Sequence, residues 1–340
     1  MTVLGWFRRS ALVLAAWLPM AFQDAGAADK PPLVLKATIP LANTGGRIDH
    51  MAVDLQRKRP FVAELGNGTV DVVDLAAGNV TARIGGLKEP QGIGYSEKAD
   101  LVIVASAGDG SVRFFRGADM APAGVLQLGD DADNVRIDPR TGNVVVGYGS
   151  GGLAIIDPLT RAKVADLPVP GHPEGFQLDT AGGRAFVNVP DARLVAVVDL
   201  GGTKPPAAWR VPGPLGNFPL AYDADRQEVA IVARSPPELL VLDGATGQVA
   251  ARQSTCGDAD DVFFDTKRQR IYVSCGSGEV ATWRRDGGAY RPLAPTRTDS
   301  GARTSLFVPE LDRLFVARRA GLFGSRAAIL VLRPQSDQPD

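Results

Sequence analysis

Short apolar segments recur along the chain, each followed by a polar turn, and no long segment beyond the N-terminal region shows the 3.6-residue periodicity of an amphipathic helix. Each unit has an apolar segment ending at an acidic or turn residue, a second apolar segment, and a third that often ends in Val-Asp or Leu-Asp. The opening segments end 41 to 44 residues apart, at Asp54, Tyr95, Asp138, Asp179, Asp223, Asp265 and Pro309. A repeat of this length built from strands alone is typical of a β-propeller. The pattern predicts an all-β, seven-bladed β-propeller with four-stranded antiparallel blades.

The first unit shows the strand pattern most clearly. Strands are predicted at residues 49–54, 60–63 and 70–74, and Gly66-Asn67-Gly68 supplies the positive φ that a tight hairpin turn needs. A more polar fourth strand at 80–84 is expected at the rim of the blade. Several other strands are apolar at almost every position, which indicates burial on both faces between neighbouring blades.

The two ends of the repeat array complement each other. The seventh unit stops after a third strand at residues 328–332, because Pro334 and a polar tail follow it. An apolar segment at 33–39 precedes the first unit. Because an open ring would leave unpaired strand edges, we expect this N-terminal strand to complete the last blade and close the ring.

The N-terminus has the features of a signal peptide. Arg8 and Arg9 precede an apolar run at residues 11–22, and Ala25-Gly26-Ala27 provides the small residues that a signal peptidase accepts. We therefore expect a signal peptide at 1–27, the propeller at 28–334 and a polar tail at 335–340. The mature protein is expected to be periplasmic or secreted and to have no transmembrane span, because no later apolar run reaches 18 residues.

Charge narrows the range of partners. The formal net charge is −1, with 37 basic and 38 acidic residues. A surface close to neutral does not attract nucleic acid strongly, so nucleic acid is not an expected partner. The expected partners are a small-molecule ligand or another protein.

The chain has two cysteines, Cys256 and Cys275. Both lie in the part that we expect to be exported, and a pair of cysteines in an oxidising compartment favours a disulfide. Cys256 precedes the first strand of the sixth unit and Cys275 ends the second. Antiparallel pairing of these strands brings the two residues together.

Second and third strands of several units carry a recognisable repeat. The second-strand form is Ile-Tyr-Val-Ser at 271–274 and Ala-Phe-Val-Asn at 185–188, and the third-strand form is Val-Asp-Val-Val-Asp at 70–74. These segments resemble the YVTN-type β-propeller repeat, and over essentially the whole mature chain the sequence is similar to the exported YncE-like family. The resemblance implies a propeller and an exported binding or scaffold protein, without identifying its ligand.

Polar residues gather where each innermost strand begins. Because these loops converge on the propeller axis, their side chains are expected at the mouth of the central channel. Four carboxylates occupy the same place in different units, five residues before the strand end: Asp49, Asp133, Glu174 and Asp260. Four such groups repel one another, and a divalent cation relieves the repulsion, with Ca²⁺ or Mg²⁺ suited to oxygen ligands. Alternatively, these side chains only bond their own loops in Asx-turns.

Three functions remain open, and one of them is interaction with nucleic acid or with the cell surface, although the near-neutral charge counts against nucleic acid. For a non-catalytic binding or scaffold protein, we expect ligand contacts from Arg47, His50, His172 and Arg303, although both arginines could simply neutralise the carboxylates. The alternative is a metal-dependent, lactonase-like hydrolase, by analogy with gluconolactonase-like propellers. In that hypothesis the metal ligands are Glu174, Asn217 and Asp260, and the proton-transfer group is Asp133 or His172. No zinc cluster, phosphate-binding loop or serine triad is visible in the sequence.

Overall fold

The structure is a computed structural model that describes residues 1–2, 30–321 and 325–336. Clustering of contacts separates Met1–Lys30 from a compact unit, Pro31–Asp340, that contains all the strands described below. Residues 3–27 of the predicted signal peptide and 337–340 of the predicted tail lie outside the described residues. Within the described residues, helix is limited to two short 3-10 turns, Leu65–Asn67 and Pro309–Leu311.

Seven sheets of antiparallel strands form the propeller, which confirms the predicted fold class. The N-terminal strand is β1 (Leu33–Pro40). Blade 1 contains β2 (Met51–Asp54), β3 (Arg59–Glu64), β4 (Thr69–Asp74) and β5 (Asn79–Ile84); blade 2 contains β6 (Pro90–Ser96), β7 (Leu101–Ser106), β8 (Ser111–Arg116) and β9 (Pro122–Gln127); blade 3 contains β10 (Ala132–Ile137), β11 (Val144–Tyr148), β12 (Gly152–Asp157) and β13 (Ala162–Pro168). Blade 4 contains β14 (Phe176–Asp179), β15 (Arg184–Val189), β16 (Leu194–Asp199) and β17 (Ala207–Arg210); blade 5 contains β18 (Leu215–Asp223), β19 (Glu228–Ser235), β20 (Pro237–Asp243) and β21 (Val249–Ser254). Blade 6 contains β22 (Ala259–Asp265), β23 (Arg270–Cys275), β24 (Glu279–Asp286), β25 (Ala289–Pro292) and the short β26 (Thr296–Arg297); blade 7 contains β27 (Ser305–Val308), β28 (Arg313–Arg318) and β29 (Ala328–Pro334).

The N-terminal strand completes blade 7, as the sequence predicts. The order in this sheet is β1-β29-β28-β27, and β1 pairs antiparallel with β29 from Leu33 opposite Pro334 to Pro40 opposite Ala328. The two ends of the array are thus joined by a strand pair. Blade 6 departs from the prediction in one detail, because β26 adds a second short pairing to β24 beside β25.

Burial explains why the central strands lack strict alternation. All six residues of β7 are buried, whereas the outer strand β9 has no buried residue. Core clusters are shared between adjacent blades: one joins Val145 and Leu153 of blade 3 to Phe176 and Val187 of blade 4. The middle strands therefore bury both faces, while the outer strands meet solvent.

The acidic residues that end most innermost strands have a structural role. Asp54, Asp223 and Asp265 are buried, and each binds the arginine three residues later, at N–O distances of 2.9, 2.6 and 3.0 Å. Each also accepts a hydrogen bond from that arginine's backbone N–H. The repeated aspartate thus closes the turn between the first two strands of the blade.

A disulfide joins Cys256 to Cys275, with the Cα atoms 5.9 Å apart. It fastens the loop that leads into β22 to the end of β23, as predicted. In the described part of the chain, no helix is long and apolar enough to span a membrane.

Candidate functional site

The loops that enter the innermost strands converge on the axis and line one small polar cavity of about 50 Å³. Blades 1, 3, 4, 5 and 6 supply its walls. The charged and polar side chains that line it are Arg47, Asp49, His50, Asp133, Asn134, Arg136, Glu174, Gln177, Asp260 and Asp261. All four carboxylates that the repeat aligned are in this set, so the predicted convergence is observed.

His50 lies between two of these carboxylates. Its Nε2 is 3.8 Å from Asp49 Oδ1 and 3.6 Å from Asp133 Oδ1. Although burial lowers the pKa of the imidazole, the negative charges of Asp133, Asp49 and Asp261 raise it to about 10. His50 is therefore a cation at neutral pH. Burial raises the pKa of Asp49 to about 6, against the opposing effects of His50 and of Arg47, whose guanidinium lies 2.7 Å from Asp49.

Asp260 is held by arginines from blades on either side of its own. Arg234 of blade 5 donates to Oδ1, and Arg303 of blade 7 lies 3.1 Å from Oδ2. Arg303 also donates to Asp258 at 2.5 Å, and Arg234 stacks over Phe218 with 4.1 Å between guanidinium carbon and ring centroid. Both guanidinium groups are thus committed to carboxylates of blade 6. Arg303 does not line the cavity.

The Glu174 carboxylate faces the cavity without a hydrogen bond or ion pair to any described residue. Burial raises its pKa to about 7, assisted by the negative charge of Asp133. His172, two residues earlier, lies outside the set of lining residues. Its Nδ1 donates to the carbonyl of Gly149 at 2.7 Å and lies 3.6 Å from Asp131. Burial lowers the pKa of His172, but the hydrogen bond to the Gly149 carbonyl and the negative charge of Asp131 have the larger effect, so the pKa is raised overall.

The side chains proposed as metal ligands do not assemble around one point. Asn217 lies outside the cavity lining, and its amide donates to Asn188 Oδ1 at 2.9 Å and to the carbonyl of Leu194 at 3.1 Å. Asp260 is bound to arginines. In residues 30–321 and 325–336, no three His, Cys, Asp or Glu side chains are grouped closely enough to hold a metal. These donors therefore do not fit a Ca²⁺ or Mg²⁺ centre.

Three buried acceptors in the cavity wall accept no hydrogen bond from any described residue, and two of them, Asp49 Oδ2 and Asp133 Oδ1, lie 2.7 and 3.6 Å from Arg47 and His50. Asp133 Oδ1 and Asn134 Oδ1 are inaccessible to solvent and accept no hydrogen bond from any described residue. Asn134 is 2% exposed, and the Asp133 side chain is 9% exposed. None of the four aligned carboxylates accepts a hydrogen bond from its own loop in the part of the chain that the structure describes. Here the Asx-turn interpretation is not observed.

Arg136 is the functional candidate that sequence reasoning missed. It lies on β10 beside the cavity, three residues after Asp133, and its Nη1 donates to the carbonyl of Val135 at 2.8 Å. The guanidinium carbon lies 5.3 Å from the ring centroid of Phe176. Burial lowers the pKa of Arg136. The sequence does contain a signal for it. Arg136 lies two residues before the strand end at Asp138, and the other six units have no charged residue at the equivalent position.

Comparisons with known proteins support the fold alone. No protein-family model and no curated protein matches the sequence. Among solved structures, a chain of "Crystal Structure of Mitotic Checkpoint Complex" superposes with a TM-score of 0.75 at 12% identity, covering 97% of this chain and 100% of that chain. A chain of "Kuenenia stuttgartiensis Hydrazine Synthase" gives 0.69 at 14% identity, with coverages of 91% and 98%. Because 1724 solved chains match, this architecture does not discriminate between functions.

Proposed function

We propose that the chain is an exported binding protein of the YVTN/YncE-like type, and that its ligand site is the axial cavity. The observation that carries this proposal is the set of acceptors in the cavity wall that accept no hydrogen bond from any described residue: Asp133 Oδ1, Asn134 Oδ1 and the Glu174 carboxylate. The near-neutral net charge supports a small ligand rather than nucleic acid.

Unpaired buried polar groups are costly to a folded protein. Each buried acceptor without a hydrogen bond costs about 1–3 kcal/mol. Water can occupy a cavity of this size and reduce that cost. A ligand with well-placed donors would replace this water and satisfy the same acceptors with fixed geometry. The cavity is therefore already arranged for binding before the ligand arrives, which favours affinity.

The lactonase-like hypothesis has weaker support. Its metal ligands Asn217 and Asp260 already bind other side chains, and Glu174 remains as a single donor from that set. One observation favours catalysis: the pKa of Glu174 lies near 7, where a carboxyl group can act as a general acid or base. Elemental analysis of protein purified without chelator separates the hypotheses, since the hydrolase requires a stoichiometric divalent ion.

A ligand screen tests the binding proposal directly. The mature protein is screened by thermal shift against a library of small polar metabolites, and hits are confirmed by calorimetry. Glu174→Gln, which removes the unpaired carboxylate, is expected to weaken a confirmed hit about tenfold. The matched control is Glu310→Gln, at an exposed turn that does not line the cavity. Equal affinity of both variants for every hit would place the ligand site elsewhere.

A further inference from the structure

The cavity presents unpaired groups of both signs. The Arg136 guanidinium makes no ion pair with any described residue and donates one hydrogen bond, to the carbonyl of the preceding residue. A guanidinium group has five N–H donors, so most of them remain available to a ligand. A half-buried arginine with free donors is suited to a carboxylate or another planar anion, which it binds through two parallel hydrogen bonds.

Acceptors suited to a cation come from the same strand, β10, and from the loop that leads into β14 of blade 4. Asp133 Oδ1 and Asn134 Oδ1 are buried acceptors without donors, and Glu174 adds a carboxylate without a partner. His50 lies near Asp133, but its Nε2 is 3.6 Å away and donates no hydrogen bond to it. An ammonium group has three donors in a compact volume, which suits three converging acceptors.

We infer that the cavity binds a small zwitterion, with its carboxylate on Arg136 and its ammonium group among Asp133, Asn134 and Glu174. This inference rests on the proposed function, because it identifies the chemical class of ligand for the same cavity. The presence of free donors on Arg136 and of acceptors without hydrogen bonds from described residues in one cavity carries it.

A ligand with a single charge fits the cavity less well. A simple anion on Arg136 would leave Asn134 Oδ1 and the Glu174 carboxylate without a donor from any described residue. A simple cation among these acceptors would leave most of the Arg136 donors unused. A molecule with both charges satisfies the two unpaired sets together and leaves the net charge of the cavity unchanged.

The cavity also limits the size of the ligand. The cavity is small, about 50 Å³, and Gln177 and Phe263 line both this cavity and a second pocket. These two side chains lie between the two spaces. The ligand class is therefore that of small amino acids.

Calorimetry of the mature protein with five probes tests the inference. Glycine, β-alanine and 4-aminobutyrate differ in the separation of their two charges, while acetate and methylammonium each carry one. We expect at least one of the three zwitterions to bind about tenfold more tightly than both single-charge probes, since it gains a second charged hydrogen-bonded contact. The preferred zwitterion reports the distance between the two subsites.

Variants of Arg136 assign the carboxylate contact. Arg136→Gln should remove most of the preference for the zwitterion over methylammonium. Arg136→Lys, which keeps the charge and loses the paired donors, should lose less and guards against misfolding of the first variant. The matched control is Arg210→Gln on the exposed outer strand of blade 4, which should bind like the wild type.

The outcomes separate this inference from the function that it rests on. If acetate or methylammonium binds as tightly as the best zwitterion, the inference is overturned and the cavity is a site for a single charge. If no zwitterion binds while another hit from the metabolite screen depends on Glu174, the inference fails and the binding function stands. If no compound binds in either experiment, both fail.

Discussion

Replacement of Leu33 tests whether ring closure by β1 stabilises the whole propeller. Leu33 is 1% exposed and packs in a core cluster with Tyr272 of blade 6 and with Phe307 and Leu332 of blade 7. Leu33→Ala removes three carbon atoms, which is about 2.4 kcal/mol of transfer free energy at about 0.8 kcal/mol each. The cavity left behind adds to this loss, so we expect the free energy of unfolding to fall by about 3 kcal/mol.

The assay is urea unfolding of a chain that begins at Ala28. Far-UV circular dichroism follows the sheets, and fluorescence follows Trp209 in blade 4 and Trp283 in blade 6. Coincident transitions would show that closure stabilises all blades cooperatively. The matched control is Leu35→Ala on the same strand, where the side chain is 52% exposed and the expected loss is below about 1 kcal/mol. Equal losses in the two variants would refute the reasoning.

Three further perturbations follow from the structure. Replacing Cys256 and Cys275 together by serine opens a loop with a sequence separation of 19 and should cost about 3 kcal/mol in urea unfolding, because loop closure no longer restricts the unfolded chain. Burial raises the pKa of Glu174 to about 7, so the folded protein binds this proton more tightly than the unfolded chain does. The protonated carboxyl is tolerated fully below pH 4.5, and stability falls as the pH rises to 7 and the group ionises. Glu174→Gln should therefore unfold at a higher urea concentration than wild type at pH 8 and show little gain at pH 4.5. Gly92→Ala should cost at least about 2 kcal/mol in thermal or urea unfolding, because its Cβ would lie 1.8 Å from the carbonyl oxygen of Asp133.

Each of these perturbations has a control or a contradicting result. Addition of reductant should destabilise the wild type but leave the double serine variant unchanged. For Glu174, the exposed Glu310→Gln should show the wild-type dependence on pH, and an equal gain for Glu174→Gln at both pH values would contradict the assigned cause. For Gly92, the comparison is Gly85→Ala, where an added Cβ meets no atom within 4 Å. Similar stability of the two alanine variants would mean that the blades tolerate closer packing than their spacing indicates.

The fold could be predicted because its determinants are local and repeated. Seven similar units each contain a strand pattern, a turn and a closing aspartate, so errors in single strand boundaries do not change the period. The N-terminal strand was predictable for a related reason: the last unit lacks a strand and residues 33–39 can supply it. The extra strand β26 follows no repeat, and nothing in the sequence of blade 6 distinguishes it from a loop.

The candidate site was only partly predictable, because its contacts join different blades. Alignment of the units placed Asp49, Asp133 and Glu174 at one mouth of the channel, and they do line one cavity. It could not show that the Asn217 amide would instead bond Asn188 on a strand of the neighbouring blade. Arg136 lies at a position where polar residues do not recur, and its signal is a charge that occurs in a single unit, among uncharged equivalents.

Two sets of aspartates in the same repeat illustrate how partners decide a role. Asp223 binds Arg226 three residues later, so a single blade satisfies it. Asp260 binds Arg234 and Arg303, which belong to the two neighbouring blades, so only the packing of three blades satisfies it. Arg303 belongs to the blade that β1 completes, so the partners of Asp260 depend on how that blade is held. A ligand that binds only the closed ring must therefore stabilise it by mass action, and the urea midpoint should rise with ligand concentration.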